Sequence, residues 1–257
     1  MRCCRWCCIG CLEPAASIDR IELKRAACID LVSFDLDGTL VDTAAEIAEA
    51  VNRTLEAQGI ARRTPVEIGL LIGHGAQALM RRLYERLVVE DETLAERVAL
   101  PLLLGGMQAH FDAVTGSLAR PYPGCRDALA RLRAGGVRLA CVTNKEHRLA
   151  LAVLHATGLA ADFDLVVGGD SLPESKPHAS VLRHVAQHFG VDLRRCAHVG
   201  DSAIDVQAAR NAGVHAWAVP YGYNAGVPIA QAGPDRIFES PGAVAEHVLA
   251  EGQRFGA

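Results

Sequence analysis

Lysine is almost missing from this chain. Of 257 residues only Lys24, Lys145 and Lys176 are lysine; the rest of the 26 basic residues are arginine. A compact ammonium, the better point charge for a phosphate, is therefore available at very few places. Long apolar runs are missing too: none approaches the ~18–20 residues that a membrane-spanning helix needs. An excess of positive charge is absent, the formal net charge being −4, so there is no electrostatic reason to expect nucleic acid or an anionic membrane as partner. No internal repeat occurs, and no low-complexity linker beyond the N-terminus.

Cysteine is unevenly placed. Five of the nine, Cys3, Cys4, Cys7, Cys8 and Cys11, crowd the start, while Cys28, Cys125, Cys141 and Cys196 are scattered. Cys4-x-x-Cys7 and Cys8-x-x-Cys11 lack the long loop that separates the ligand pairs of a zinc site, so no metal is expected there. The odd total and the lack of a secretion signal favour a reducing, cytoplasmic setting. Residues 1–27 read as a disordered, Cys-rich extension. Cys141 and Cys196 lie in apolar runs and read as small core residues.

What is present is a strand–helix alternation. Apolar runs at 28–34, 137–143, 165–167, 196–199, 215–219 and 236–238 read as strands. Helical patterns at 125–134, 146–157, 178–189, 203–212 and 243–249 lie between or after them, several stopped by glycine. Such alternation predicts an α/β fold, a Rossmann-like parallel sheet covered by helices on both faces. Residues 43–117 break the pattern. Ile47, Val51 and Leu55 repeat every four residues, Thr64-Pro65-Val66-Glu67 is a capping box with proline in the first turn, and 76–88 and 92–111 read as further helices. Pro101 and Gly105-Gly106 are expected to make the last one irregular. The expected organisation is an α/β core, 28–42 with 118–257, and an inserted all-helical cap domain, 43–117.

The richest stretch is Phe34-Asp35-Leu36-Asp37-Gly38-Thr39. A buried strand ends in two carboxylates one residue apart, then a turn of free backbone N–H groups. Ligands bind at this end of the strands in open α/β sheets, and a nucleophilic carboxylate, a proton-transferring carboxylate and a phosphate-sized nest can all sit there. Thr143-Asn144-Lys145 follows another apolar run, Lys176-Pro177-His178 opens a helix, and Gly200-Asp201-Ser202-Ala203-Ile204-Asp205 follows a third.

These four segments, in this order, resemble the motifs of the haloacid dehalogenase-like superfamily of phosphohydrolases. Leu71-Ile72-Gly73-His74-Gly75, Gly168 to Pro173 and Val219 to Asn224 are in addition similar to stretches of bacterial phosphoglycolate phosphatases. The resemblance implies Asp35 as nucleophile forming an aspartyl-phosphate and Asp37 as the acid and base. It implies Thr143, Asn144 and Lys176 as phosphate-binding groups. Mg²⁺ would be held by Asp35, the Asp37 backbone carbonyl and Asp201, with Asp205 one helical turn behind them. Gly73, His74 and Gly75 are expected to form a loop that reads the non-phosphate end of the substrate.

The implied activity is Mg²⁺-dependent hydrolysis of a small phosphorylated acid, 2-phosphoglycolate, by a monomer or homodimer. A dehalogenase would lack Asp37. Cleavage of a phosphonate through a Schiff base needs a cap lysine, and residues 43–117 contain none. A sugar-phosphate mutase of the same superfamily, or a non-catalytic protein that binds phosphorylated metabolites, remains open at this stage.

Overall fold

The computed structural model describes residues 28–255; the expected Cys-rich extension lies outside them. Six strands form one sheet: β1 (Leu31–Phe34), β4 (Arg138–Val142), β5 (Leu165–Val167), β6 (Cys196–Gly200), β7 (His215–Ala218) and β8 (Arg236–Ile237). Their order is β5-β4-β1-β6-β7-β8, and every pairing is parallel.

Strand residues alternate between two apolar layers, as the pleat requires. Val32, Phe34, Leu139, Cys141, Val199 and Trp217 face one layer. It is closed by α6 (Cys125–Ala134), α7 (His147–Thr157) and α10 (Pro241–Phe255). Leu31, Ala140, Val142, Ala216 and Ala218 face the other, closed by α8 (Ala179–Phe189) and α9 (Ala203–Ala212). Both faces of the sheet are covered, so its strands read as continuous apolar runs. Each large side chain removed from water here contributes roughly 1.5–3 kcal/mol.

Between β1 and α6 the chain leaves the sheet through a two-stranded antiparallel stem. In it β2 (Val41–Asp42) pairs with β3 (Arg120–Pro121), setting Asp42 opposite Arg120. Strands of two residues carry no periodic signal, so this stem is not legible in the sequence. Five helices lie between its two strands: α1 (Ala44–Glu56), α2 (Pro65–Gly69), α3 (Ala76–Glu90), α4 (Leu94–Arg97) and α5 (Leu100–Val114). Ile47, Val51 and Leu55 of α1 share an apolar cluster with Leu103, Met107 and Phe111 of α5, and Leu149 of α7 joins it.

The capping box of α2 is formed: Glu67 N–H donates to Thr64 Oγ1 at 3.2 Å, and Glu67 Oε2 accepts from Thr64 N–H at 2.8 Å. The expected irregularity falls elsewhere than the glycines. The single helix read at 92–111 is two, parted at Val98–Ala99, with Pro101 in the first turn of α5 where a missing N–H is harmless. Gly105 and Gly106 lie inside continuous helix. The last helix is longer than its apolar pattern, beginning at Pro241 and running to Phe255. Among the described residues no helix is long and apolar enough to cross a membrane.

Candidate active site

Three neighbouring strands end at one place. Asp35 follows β1, Thr143 follows β4 and Asp201 follows β6, and the pairing of Phe34 with both Cys141 and Val199 sets those ends level. The N–H of Asp35 donates to Val199 O at 2.9 Å, extending the ladder by one residue. A cavity opens above these ends. The sheet contributes Asp35, Asp37, Thr143, Lys145 and Asp201 to its lining. The insert contributes an apolar wall that includes Ile47, Ile72, Leu79 and Phe111.

Each of the paired aspartates has its own ammonium. Lys176 Nζ donates to Asp35 Oδ1 at 2.8 Å, to Asp205 Oδ1 at 2.7 Å and to Val142 O at 2.6 Å, so its three protons are all engaged. Lys145 Nζ donates to Asp37 at 3.0 and 3.3 Å. Thr43 Oγ1 donates to Asp37 Oδ1 at 2.7 Å. That bond spans the turn whose bend is fixed by Gly38, at φ +88°, a conformation that glycine adopts without penalty.

Asp201 is held from two sides. Thr39 Oγ1 donates to its Oδ1 at 2.9 Å, and the Tyr223 backbone N–H donates to Oδ2. A side chain on Gly38 or Gly222 would run into this carboxylate, which explains glycine at both positions. Asp205 Oδ2 accepts from Ser202 N–H at 3.1 Å and Ser202 Oγ at 2.6 Å, tying it to the start of α9. Beneath it His198, fully buried, presents Nε2 to Asp205 Oδ1 at 3.3 Å and Nδ1 to Ser33 Oγ at 2.9 Å.

The electrostatics follow from burial. Desolvation pushes the Asp35 carboxyl up to about 6 despite the Lys176 ammonium, with Asp205 adding to the rise. Desolvation, with Asp205 and Asp35 as like charges, raises Asp201 well above the ordinary carboxylate range. Burial acts against the charged form of Asp205 as well, but Lys176 and His198 outweigh it and hold that carboxyl low. Burial alone would lower Lys176; Asp205 and Asp35 raise it instead.

The donor set fits a divalent cation. Oxygens of Asp35, Asp201 and Asp205 lie within 4.8 Å of one another. Four carboxylates, counting Asp37, face two ammoniums, and Asp201 has no cation bonded to it among the described residues. All the free donors are hard oxygens, which suit Mg²⁺. Asp205 meets four partners, Lys176 and His198 at Oδ1 and the N–H and Oγ of Ser202 at Oδ2, whereas Asp201 accepts one bond on each oxygen, so Asp205 supports the ligand set from behind.

Family comparison places this geometry. The haloacid dehalogenase-like hydrolase family model matches residues 29–213. The chain belongs to that family. The phosphoglycolate phosphatase of Nitrosospira multiformis is 42% identical over 213 residues, covering 82% of this chain and 92% of that protein. The plasmid phosphoglycolate phosphatase of Cupriavidus necator is 40% identical, covering 81% and 88%. Among solved structures, a predicted phosphoglycolate phosphatase from Haemophilus somnus superposes with a TM-score of 0.80 at 31% identity, covering 85% of this chain and 97% of that one.

In this haloacid dehalogenase-like hydrolase the expected residues are placed unequally. Asp35, Asp37, Thr143 and Asp201 converge on the cavity. Thr143 Oγ1 accepts from Lys145 N–H at 3.2 Å, which leaves the hydroxyl proton free to donate. Asn144 also lines the cavity, but its side chain is committed elsewhere. Its amide nitrogen donates to Gly73 O and Lys176 O, both at 3.0 Å, and its Oδ1 accepts from Lys176 N–H at 3.0 Å. The backbone N–H is what remains for an anion. Lys176 does not line the cavity, and its charge reaches an anion by way of Asp35. In the 73–75 loop Gly73 and Gly75 line the cavity, while His74, between two glycines of positive φ, does not and is exposed as a residue.

Thr39, Thr43, Tyr223 and the buried His198 were given no site role from sequence, and Lys145 was marked only as a lysine within a phosphate-site motif. Thr39, Thr43 and Lys145 sit inside or beside recognisable motifs. Tyr223 lies 22 residues beyond the carboxylate it holds, and His198 is one apolar-run residue among many, so spacing gave no signal for either.

Proposed function

We propose that this hydrolase is a Mg²⁺-dependent phosphomonoesterase that converts 2-phosphoglycolate to glycolate and phosphate through an aspartyl-phosphate on Asp35. The observation that carries the reading is the pair of aspartates facing one cavity, each with its own ammonium at 2.8–3.0 Å. The substrate follows from the relatives that bear the name phosphoglycolate phosphatase at 34–42% identity.

Asp35, as the carboxylate, attacks phosphorus with Asp37 in its protonated form, and the bond from phosphorus to the ester oxygen breaks. Asp37 gives a proton to that departing oxygen, then takes one from the water that attacks the phosphorylated Asp35. Phosphate leaves and both carboxyls return to their starting state. Such proton transfer is worth ~10²–10⁴-fold. Thr143 Oγ and the N–H of Asn144 donate to phosphate oxygens. Lys176 keeps the nucleophile ionised in a buried setting. Asp35, Asp201 and the Asp37 carbonyl would hold Mg²⁺, which when bound neutralises the charge shared by carboxylates and phosphate. The helical insert serves as a cap whose apolar wall excludes water from the phosphorylated aspartate. The 73–75 loop contributes backbone to that wall.

The test is phosphate release from a panel of small phosphoesters, with Mg²⁺ and with chelator, for the wild type beside Asp35→Asn. Metal-dependent release that favours 2-phosphoglycolate and is lost in the variant is expected. Release from another ester would move the substrate, and full activity in the variant would remove Asp35 as nucleophile.

A further inference from the structure

We infer that Lys145 is the group that recognises the carboxylate of the substrate, and so makes this site selective for phosphate esters of short 2-hydroxy acids. The inference rests on the phosphoglycolate reading and deepens it.

The two buried lysines are used differently. Lys176 gives its protons to three separate acceptors and is saturated. Lys145 is 7% exposed and touches only the Asp37 carboxylate. The Glu46 carboxylate of the insert feels its charge but does not bond to it, so a buried ammonium faces the cavity with bonding capacity unused. Buried charged groups are normally satisfied, and a ligand anion is what would complete this one.

The cavity offers no other cation to such an anion. Lys145 is the one cationic side chain on its lining, and the insert wall is apolar. Elsewhere a substrate carboxylate would find only neutral donors, the Thr143 hydroxyl, the Asn144 N–H and the first N–H groups of α3, or the apolar wall. Chemistry then fixes the place. In a phosphorylated 2-hydroxy acid the carboxylate carbon is two bonds from the ester oxygen. Asp37 must reach that ester oxygen to protonate it, at ~2.7 Å. A cation 3.0 Å from Asp37 therefore stands where the carboxylate falls. Each added methylene between ester and acid moves the carboxylate out of reach, toward apolar wall.

The experiment measures kcat/KM for 2-phosphoglycolate and for its uncharged amide, 2-phosphoglycolamide, in the wild type, Lys145→Met and Lys145→Arg. The wild type is expected to favour the acid. In Lys145→Met the acid-to-amide ratio should fall at least roughly 30-fold, chiefly through KM of the acid, as loss of a buried charge partner demands. Lys145→Arg should recover part of it. A ratio unchanged in Lys145→Met overturns the inference while leaving the phosphoglycolate reading intact. A wild-type ratio near one overturns both. Should Lys145→Met fail to fold, the wild type alone decides, through the phosphate esters of glycolate, 3-hydroxypropionate and 4-hydroxybutyrate. kcat/KM should drop with each methylene, and equal values would overturn the inference.

Discussion

The side-chain amide of Asn144 stands 3.0 Å from the carbonyl of Gly73. One residue of the sheet's phosphate segment is thereby bonded directly to a loop of the helical insert. The contact is close enough that a side chain on Gly75 would meet the Asn144 carbonyl at 2.9 Å. The same amide fixes Lys176 through two further bonds, so the position of the insert, the Asn144 N–H and the ammonium beside Asp35 all depend on one side chain.

Asn144→Ala is therefore expected to lower kcat by roughly tenfold or more and to speed proteolysis at the 73–75 loop. It leaves the N–H of Lys176 unpaired, at about 1–3 kcal/mol. Asn144→Asp separates the effects in part, because a carboxylate can still accept from Lys176 N–H but can donate to neither Gly73 O nor Lys176 O. Kinetics with limited proteolysis of the three proteins is the check. Wild-type kcat in Asn144→Ala would show that the bridge does not position the site.

Lys176→Met removes the counter-ion of two buried carboxylates at once. The loss of one partner from a buried ion pair predicts about 3–5 kcal/mol of destabilisation, together with loss of turnover. Pairing it with Asp205→Asn should recover much of the stability and none of the activity, since the two changes act on one bonded pair. Urea denaturation of the two single variants and the double variant measures the coupling, and purely additive stability changes would contradict it.

Glu46 supplies the pH dependence. It lies in the first turn of α1, 1% exposed, and its Oε2 accepts from the N–H of Gly116 at 2.8 Å, clasping the two ends of the insert. Its Oε1 is buried without a partner among the described residues. Burial raises this carboxyl above its ordinary 4.5, against the pull of Lys145. The folded state then holds a proton that the unfolded state has released. Stability is fully present below 4.5 and declines as pH climbs through the raised value. Glu46→Gln, neutral throughout, should gain stability relative to the wild type on going from pH 4 to pH 8. Thermal melts of both proteins across that range test the sign, and parallel curves would refute it.

The sheet was readable because parallel strands buried on both faces are apolar along their whole length. Asp35, Asp37 and Asp201 were readable because each ends such a run. What the sequence hid were contacts made across long separations. Tyr223 reaches back to Asp201 and Asp42, and His198 lies under Asp205 through bonds that no spacing encodes. The direction of the Asn144 side chain was hidden too, since a polar residue after a strand can point at a ligand or at the backbone beside it with equal chemical sense.

Gly105 and Gly106 show where local sequence signals mislead. Two adjacent glycines suggest a break, yet α5 runs through them, because Leu103, Met107 and Phe111 on its buried face pack against α1. Tertiary burial overrides a helix propensity penalty of ~1 kcal/mol per glycine. Both glycines are exposed, and a methyl group on either would meet nothing within 4 Å. Gly105→Ala and Gly106→Ala should each stabilise the fold by ~0.5–1 kcal/mol, a rise in Tm of roughly 1–4 °C for a chain of this size. Gly75→Ala should do the opposite, since its φ of +83° is strained for alanine and its methyl would press on Asn144. Thermal melts of the three variants decide the matter. A fall in Tm for Gly105→Ala would mean that the helix needs a break there after all.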